Sequence, residues 1–190
     1  GPHGGLEIEG FLDDDPAKQG SRFMGFPVFG PLDRIGDKFR DALFVNNVAR
    51  DTATRLRVHN RLLVLGAHRF ATLLHPTVDV ALAELGEGVI VNENVVLGPG
   101  CRIGPHSIVN YHSIVGHEAE IGAFCFLAAR STVGAHSSVG DGVFLGLHSL
   151  VLPSRRIGDW SVVGAGAVVV RDVEPRSTVF GNPARKIVDR

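Results

Sequence analysis

The stretch "LGPGCRIGPHSIVNYHSIVGHEAEIG" (residues 97–122) places an aliphatic residue at every sixth position. The same spacing continues in both directions, from Leu85 to Val169, with no break in register. The fifteen aliphatic positions are Leu85, Val91, Leu97, Ile103, Val109, Val115, Ile121, Leu127, Val133, Val139, Leu145, Val151, Ile157, Val163 and Val169. At 44% hydrophobic residues overall, chance would give such a run in one frame about five times in a million.

Two further positions of this six-residue repeat, or hexad, are restricted. The residue after the aliphatic one is usually glycine, and the fifth residue is mostly small or β-branched. A period of six drifts around a 3.6-residue helix, so the pattern excludes an amphipathic α-helix, and plain strand alternation does not explain it either. A short strand, a tight turn and another short strand satisfy the pattern. We expect Gly and Asn to supply the turn conformations and the aliphatic side chains to fill a narrow core.

The hexads resemble those of the hexapeptide-repeat proteins, whose fold is a left-handed parallel β-helix with three hexads per coil. The resemblance implies that residues eighteen positions apart stack, in coils about 4.8 Å apart. We therefore predict a mainly β protein with a left-handed β-helix domain at residues 77–173. A small α/β unit would occupy residues 6–76 and a short tail residues 174–190, while residues 1–5 look like an expression scar.

The segments outside the hexads predict a few more elements. Residues 51–64 have helix-compatible spacing that ends before Gly66, and "RFATLLHP" (69–76) reads as a strand stopped by Pro76. Alternating strands and helices indicate a small α/β unit. The tail "VFGNPARKIV" (179–188) predicts a strand, a turn and a short helix.

Composition and charge limit the class of function. The formal net charge is −1, whereas a nucleic-acid binder is expected to carry a basic face. No apolar run reaches the roughly 18 residues that a membrane helix needs. Cys101 and Cys125 are the two cysteines, and their spacing fits neither a metal site nor a disulfide framework. We expect a soluble, reducing, cytoplasmic setting, with no nucleic acid, no membrane insertion and no metal.

One pair of hexads carries more polar residues than a structural repeat needs: Asn110 stands where glycine is usual, and His117 and Glu118 follow in the next turn. Exposed, polar turn residues are an equally simple explanation of this composition. Five segments that occur in one order favour a functional role for these residues. They are "FLDD" (11–14), "NYHSIVGHE" (110–118), "FLGLHSLVLP" (144–153), "VVGAGAVVV" (162–170) and "GNPARKI" (181–187). Together they resemble the sugar O-acyl/N-acyltransferase family, which includes nucleotide-aminosugar N-acetyltransferases and sialic-acid O-acetyltransferases.

The resemblance implies an acetyl-CoA-dependent transfer to the amine of a nucleotide-linked amino sugar of the 4-amino-4,6-dideoxy type. His117 would be the general base, a role that suits imidazole. Glu118 would orient the His117 ring, although stacking by eighteen also places it beside His136, where it could form a mere surface contact. Asn110 would hydrogen-bond to the sugar or the reacting centre.

Small residues follow one column of the repeat, in steps of eighteen from Asn110, and would leave room for a pantetheine arm. Corners of a β-helix favour such residues in any case. The resemblance places acyl-CoA contacts on this column and the next one, and we expect cofactor binding at Phe126, Gly146, Leu147, Gly164 and Ala165. Close relatives can have histidine at the position of Phe126. Arg185 and Lys186 would either meet CoA phosphates or be solvated.

The acceptor pocket is expected from the N-terminal unit, because no insertion interrupts the hexads. The resemblance implies that this unit is a small Rossmann-like domain that binds a nucleotide sugar, with Asp13 and Asp14 in contact with the nucleotide. An acidic turn before Pro16 also fits a solvated loop. Relatives begin with a Gly-rich "GxGGHG" turn that is not found here, so the chain is either truncated or lacks the first βα unit. Because His117 and the small-residue column occupy different edges, we do not expect one subunit alone to bring them together. The resemblance implies a homotrimer with active sites between neighbouring subunits, and we predict a trimer.

Three alternatives remain open at this stage. A sialic-acid-type O-acetyltransferase would use the same residues. A γ-type carbonic anhydrase would use zinc at a His-x4-His pair, which His112 and His117 match, but its third ligand would fall on Pro76, one residue from His75. A non-catalytic scaffold would use the rigid coils alone.

Overall fold

Three short strands and one helix precede the repeats in the computed structural model, which describes residues 6–36, 39, 41–48 and 51–187. The strands are β1 (Phe11–Leu12), β2 (Arg22–Phe23) and β3 (Phe26–Gly30). They form a sheet in the order β1-β3-β2, in which β1 is parallel and β2 antiparallel to β3. A 3-10 turn (Leu32–Arg34) and the helix α1 (Thr52–Val64) complete an α/β unit, as expected. The helix begins where predicted, because the Asp51 carboxylate caps it by accepting from the Thr54 amide at 2.6 Å.

The hexads wind into a three-sided parallel β-helix. Face 1 contains β4 (Leu73–Leu74), β6 (Ile90–Val91), β9 (Ile108–Val109), β12 (Phe126–Leu127), β15 (Phe144–Leu145), β18 (Val162–Val163) and β20 (Thr178–Phe180). Face 2 contains β7 (Val96–Leu97), β10 (Ile114–Val115), β13 (Thr132–Val133), β16 (Leu150–Val151) and β19 (Val168–Val169). Face 3 contains β5 (Glu84–Leu85), β8 (Arg102–Ile103), β11 (Glu120–Ile121), β14 (Ser138–Val139) and β17 (Arg156–Ile157).

Four-residue turns join the faces at three corners. Corner A, from face 3 to face 1, comprises residues 86–89, 104–107, 122–125, 140–143 and 158–161. Corner B, from face 1 to face 2, comprises residues 92–95, 110–113, 128–131, 146–149 and 164–167. Corner C, from face 2 to face 3, comprises residues 98–101, 116–119, 134–137 and 152–155. Partners within a face lie eighteen residues apart, as for Ile114 with Val96 and with Thr132, which confirms the expected stacking.

The aliphatic positions form the core. Thirteen of the fifteen are buried, and Leu85 and Leu97, near the start of the coils, are partly buried against them. The small residues at the fifth position are buried too, and most of their hydroxyl groups are hydrogen-bonded: Ser113 Oγ, for example, donates to the Ala128 carbonyl at 3.0 Å. The buried Ser149 Oγ is an exception and has no hydrogen-bond partner among the described residues. A single stacked core therefore accounts for the hexad pattern.

The repeat glycines have a different role from the one predicted. The left-handed backbone recurs at the third residue of each turn, from Gly88 to Gly166, and only four of these fourteen positions are glycine. The usual glycine is the first turn residue, where φ is not positive. A Cβ on Gly116 would lie 2.6 Å from the Ala135 nitrogen of the next coil. Glycine is thus required there because the backbones of successive coils approach closely.

The coiled region extends beyond the predicted residues 77–173. Strand β4, expected to precede the coils, already pairs with β6 on face 1, and β20 continues the same face after β18. The predicted C-terminal helix is wrong within the described residues. Strand β21 (Arg185–Lys186) instead folds back antiparallel to β20, so its backbone groups pair with that strand.

Candidate active site

His117 and Glu118 occupy the turn 116–119 at corner C, between β10 and β11, and both side chains are exposed. Hydrogen bonds between coils hold this turn: the Glu118 amide donates to the Pro99 carbonyl, and the His136 amide donates to the His117 carbonyl, each at 3.0 Å. The repeat therefore fixes the backbone below the imidazole and leaves the ring open to solvent.

The Glu118 carboxylate contacts a second histidine. Glu118 Oε2 lies 3.2 Å from His136 Nδ1, whereas the expected hydrogen bond between Glu118 and His117 is not among the contacts of the described residues. The His117 and His136 rings meet edge to face, with centroids 4.7 Å apart. One nitrogen or oxygen atom from each of the three side chains lies within 4.8 Å of the others. The carboxylate is thus a nearby negative charge for His117, and its ion-pair contact is with His136.

Asn110 lies at corner B and is committed to a ladder along the coils. Its Oδ1 accepts from Asn92 Nδ2 at 3.0 Å, and its Nδ2 donates to the Leu127 carbonyl at 2.9 Å. One N–H and one lone pair of the amide remain for any further partner. The residue that the sequence singled out as an interruption therefore also has a structural role.

The predicted cofactor residues differ in how far they are exposed to solvent. Gly146 and Gly164 are buried. A Cβ on Gly146 would meet the Ala165 nitrogen at 2.5 Å and one on Gly164 would overlap the Phe180 ring, so contacts within the protein explain their size better than room for a ligand does. Leu147 and Ala165 are exposed at corner B. The half-buried Phe126 ring stacks on the Phe144 ring of face 1 at 5.3 Å.

Face 2 separates the two halves of the predicted site, since His117 is at corner C and Leu147 and Ala165 are at corner B. Apolar side chains on this face are exposed to solvent: Val96 is 57% exposed and Ile114 is 43% exposed. Face 3, by contrast, carries an ion-pair ladder in which Arg102 contacts Glu84 and Glu120. The single chain therefore has one apolar and one charged open face next to corner C.

The predicted nucleotide-binding carboxylates both have partners within the N-terminal unit. Asp13 pairs with Lys18 Nζ at 2.8 Å, and this hydrogen bond lowers the pKa of the Asp13 carboxyl. Asp14 accepts from the Leu32 amide at 3.0 Å and pairs with Arg61 of α1. A single chain does not bring these carboxylates to His117, because α1 packs on corner A.

The contact of α1 with corner A was not predicted from the sequence. Arg55 donates to the carbonyls of His106 and Cys125, and His59 packs its ring 4.1 Å from that of His106. His106 reaches this corner from the third turn position of the repeat. The residues of α1 that contact it follow no repeat, so the sequence pattern does not reveal them. His136, by contrast, could be found by counting eighteen residues from Glu118.

The zinc site of the carbonic-anhydrase alternative does not assemble within one subunit. His75 Nδ1 lies 3.0 Å from Thr77 Oγ1, and the described residues group His117 with Glu118 and His136, not with His75 or His112. Across the described ranges, no helix has the length and apolar character needed to cross a bilayer.

Solved structures resemble nearly the whole chain. One is PerB from Caulobacter crescentus in complex with CoA and GDP-perosamine: it is 30% identical, covers 94% of this chain and 84% of its own, and has a TM-score of 0.81. A histidine-to-alanine mutant of GDP-perosamine N-acetyltransferase from the same organism, also with CoA and GDP-perosamine, is 29% identical over 95% of this chain and 85% of its own, with a TM-score of 0.83. The acetyltransferase domain of PglB from Neisseria gonorrhoeae, in complex with acetyl coenzyme A, is 27% identical over 94% of this chain and 85% of its own, with a TM-score of 0.78.

Curated relatives match a shorter part. Chloramphenicol acetyltransferase from Klebsiella aerogenes is 44% identical over 48 residues, which are 25% of this chain and 23% of that protein. The chain spans less than a quarter of the length of the curated relatives it matches. No protein-family model matches the sequence. The coils, the turn with His117 and Glu118, and the resemblance to three sugar acetyltransferase structures over more than nine-tenths of the chain lead to one assignment. The chain belongs to the hexapeptide-repeat family of sugar acyltransferases, built on a left-handed parallel β-helix.

Proposed function

We propose that this protein transfers an acetyl group from acetyl-CoA to the amine of a nucleotide-linked amino sugar, of the 4-amino-4,6-dideoxy type. The observation that carries the proposal is the exposed imidazole of His117 beside the open face 2, in a chain 30% identical to a structure containing CoA and GDP-perosamine. A nucleoside diphosphate sugar with a free amine is accordingly the first substrate to test.

In this mechanism His117 acts as the general base. Its unprotonated ring nitrogen accepts a proton as the amine nitrogen attacks the thioester carbonyl. The new C–N bond forms, the C–S bond breaks, and the proton held by His117 passes to the leaving thiolate to give CoA and an amide. Glu118 contributes its negative charge, within 4.8 Å of the ring, and thus stabilises the imidazolium that forms.

The acetyl-CoA site is proposed at corner B, along Leu147 and Ala165, with Phe126 on the adjoining face. Gly146 and Gly164 contribute by having no side chain, so that backbone groups line the path of the pantetheine arm. Asn110 would use its remaining N–H toward the acceptor. Asp13 and Asp14 would bind the nucleotide only by giving up their contacts with Lys18 and Arg61. In the tail, the exposed Arg185 and Lys186 are candidates for contacts with the CoA phosphates.

The assembly proposed is a homotrimer. The two halves of the site flank face 2, so a neighbour that covers the apolar side chains of this face can bring its corner B against His117. Such packing removes Val96 and Ile114 from water and completes three equivalent sites. The cytoplasmic setting stays part of this proposal and is supported by the two free, buried thiols, Cys101 and Cys125.

The function is tested by measuring thiol release from acetyl-CoA with GDP-perosamine and a panel of other aminosugar nucleotides. We expect His117→Ala to lower kcat by at least about 100-fold, because a general base contributes that much or more. His68→Ala is the control, since His68 is exposed outside the coils and should leave turnover intact.

Turnover that survives His117→Ala undiminished would contradict the assigned base. Mass analysis and hydroxylamine treatment of the product separate an amide from an ester, so that the same assay also tests the sugar O-acetyltransferase alternative.

A further inference from the structure

Two imidazoles and one carboxylate converge at corner C, from His117, Glu118 and His136. One nitrogen or oxygen atom from each lies within 4.8 Å of the others, and all three side chains are exposed. In the part of the chain that the structure describes, no other three histidine, cysteine, aspartate or glutamate side chains come together in this way. Imidazole nitrogen with carboxylate oxygen is a ligand set that Zn²⁺ favours.

The spacing of these atoms suits a tetrahedral ion. Zn²⁺ binds histidine nitrogen and carboxylate oxygen at about 2.0–2.2 Å, which puts neighbouring ligand atoms about 3.3 Å apart. His136 Nδ1 and Glu118 Oε2 are already 3.2 Å apart. The His117 ring stands edge to face with that of His136, centroids 4.7 Å apart, and as an exposed side chain it needs only a rotation to supply the third atom.

The backbones that carry these ligands are held in place before any ion binds. The amides of Glu118 and His136 donate to carbonyls of the preceding coil, and both residues have the left-handed backbone of the third turn position, with φ of 55° and 56°. Binding therefore has to order three side chains and no main chain, which keeps its entropic cost low.

We propose that His117, Glu118 and His136 form a Zn²⁺ site whose occupancy blocks acetyl transfer. The inhibitory consequence rests on the proposed function, because a metal bound to His117 occupies the lone pair that would accept the amine proton. With two neutral imidazoles and one carboxylate as ligands, the Zn²⁺ complex has a net charge of +1. A fourth coordination position remains for water. Zn²⁺ is an inhibitor in this scheme, and the reaction itself requires no metal.

Zinc binding is measured on the metal-free protein by competition with a chromogenic zinc chelator, with Mg²⁺ as a comparison that prefers oxygen ligands. We expect His136→Asn to weaken binding by at least about 10-fold, since even outer-shell changes cost that much. Asparagine tolerates the left-handed backbone, so the turn is preserved. His112→Asn is the matched control: it has the same turn position at corner B, with φ of 58°, and lies outside the group.

Equal zinc affinity in wild type and His136→Asn would overturn the proposal. Loss of binding in His112→Asn would also overturn it, and would indicate a set shared between subunits through the His-x4-His pair. In the transfer assay, the Zn²⁺ concentration that halves each protein's own metal-free rate should rise in His136→Asn by the same factor as the affinity falls. The chelator competition measures zinc affinity without any substrate. A protein that binds zinc through His136 but has no transferase activity would therefore support the zinc site and contradict only the proposed function.

Discussion

Individual histidines differ in this protein according to how the coils expose them. His117 and His136 face solvent, whereas His59 and His106 are 8% exposed and pack their rings against Phe70 and Phe124. Burial lowers the pKa of His106 to about 4, with a further contribution from the charge of His59, and burial also lowers the pKa of His59. Both rings are therefore neutral in the folded protein at neutral pH.

This burial predicts an acid-sensitive stability. An unfolded histidine titrates near 6.5, so between about pH 6.5 and 4 the unfolded chain binds a proton that folded His106 does not. The free energy of unfolding must then fall as the pH is lowered through this window, by on the order of 2 kcal/mol. The carboxyl groups of Asp13 and Asp172, whose pKa values are lowered, lose their stabilising contacts only at lower pH.

Urea unfolding of the His106→Phe variant at pH 7.5 and pH 5 checks this prediction. Phenylalanine fits the site because Phe124, one coil further on, has the same left-handed backbone and stacks on His106. We expect the variant to lose less stability on acidification than wild type. His148→Phe, at an exposed position with φ of 55°, should keep the wild-type pH dependence. An equal loss of unfolding free energy between pH 7.5 and pH 5 in all three proteins would contradict the role given to His106.

The helix α1 is joined to the β-helix mainly through one buried cation. Arg55 is 1% exposed, donates to the carbonyls of His106 and Cys125, and has a pKa lowered by burial to about 10, so it stays charged at neutral pH. Thr52 Oγ1 adds a hydrogen bond to the Gly142 carbonyl at 2.7 Å. These contacts reach three backbone carbonyls at corner A, of which that of Cys125 also accepts from the Ile108 amide of the repeat at 2.9 Å.

We expect Arg55→Ala to lower the free energy of unfolding by about 3 kcal/mol, because it leaves a cavity and removes the hydrogen bond to the His106 carbonyl. Chemical denaturation measures this loss, and limited proteolysis should cut the N-terminal unit first. Arg57→Ala is the matched control on the same helix, since Arg57 is exposed and its change should stay within about 0.5 kcal/mol. Equal denaturation midpoints for the two variants would show that Arg55 does not hold the helix to corner A.

The whole molecule is a prism whose three faces have different surroundings. Face 1 is extended by the strands at both ends of the coils, face 3 carries the ion pairs of Arg102, and face 2 exposes apolar side chains. Tyr111 and Leu147 at corner B, 50% and 53% exposed, enlarge the apolar surface of face 2. A surface of this kind is typical of an interface between subunits.

We expect the wild-type protein to have the mass of a trimer by light scattering, and Ile114→Glu to dissociate it, because a carboxylate would be buried without a partner. Acetyl transfer should fall together with the mass if the site lies between subunits. Ser138→Glu places the same charge at the same repeat position on face 3 and should leave both mass and activity unchanged. A fully active Ile114→Glu monomer would contradict the shared site.

The local pattern of the sequence was sufficient for the coils, their eighteen-residue stacking and the corner that holds His117, because each hexad contacts only its neighbours along the axis. Contacts that link distant or non-repeating segments needed the three-dimensional structure. Three such contacts are the ion pair of Glu118 with His136, the Asn92–Asn110 ladder and the docking of Arg55 on corner A. All three depend on which rotamer or element reaches a given polar atom or ring. A period of six does not contain that information, because it specifies which residues stack and leaves open which polar atoms pair.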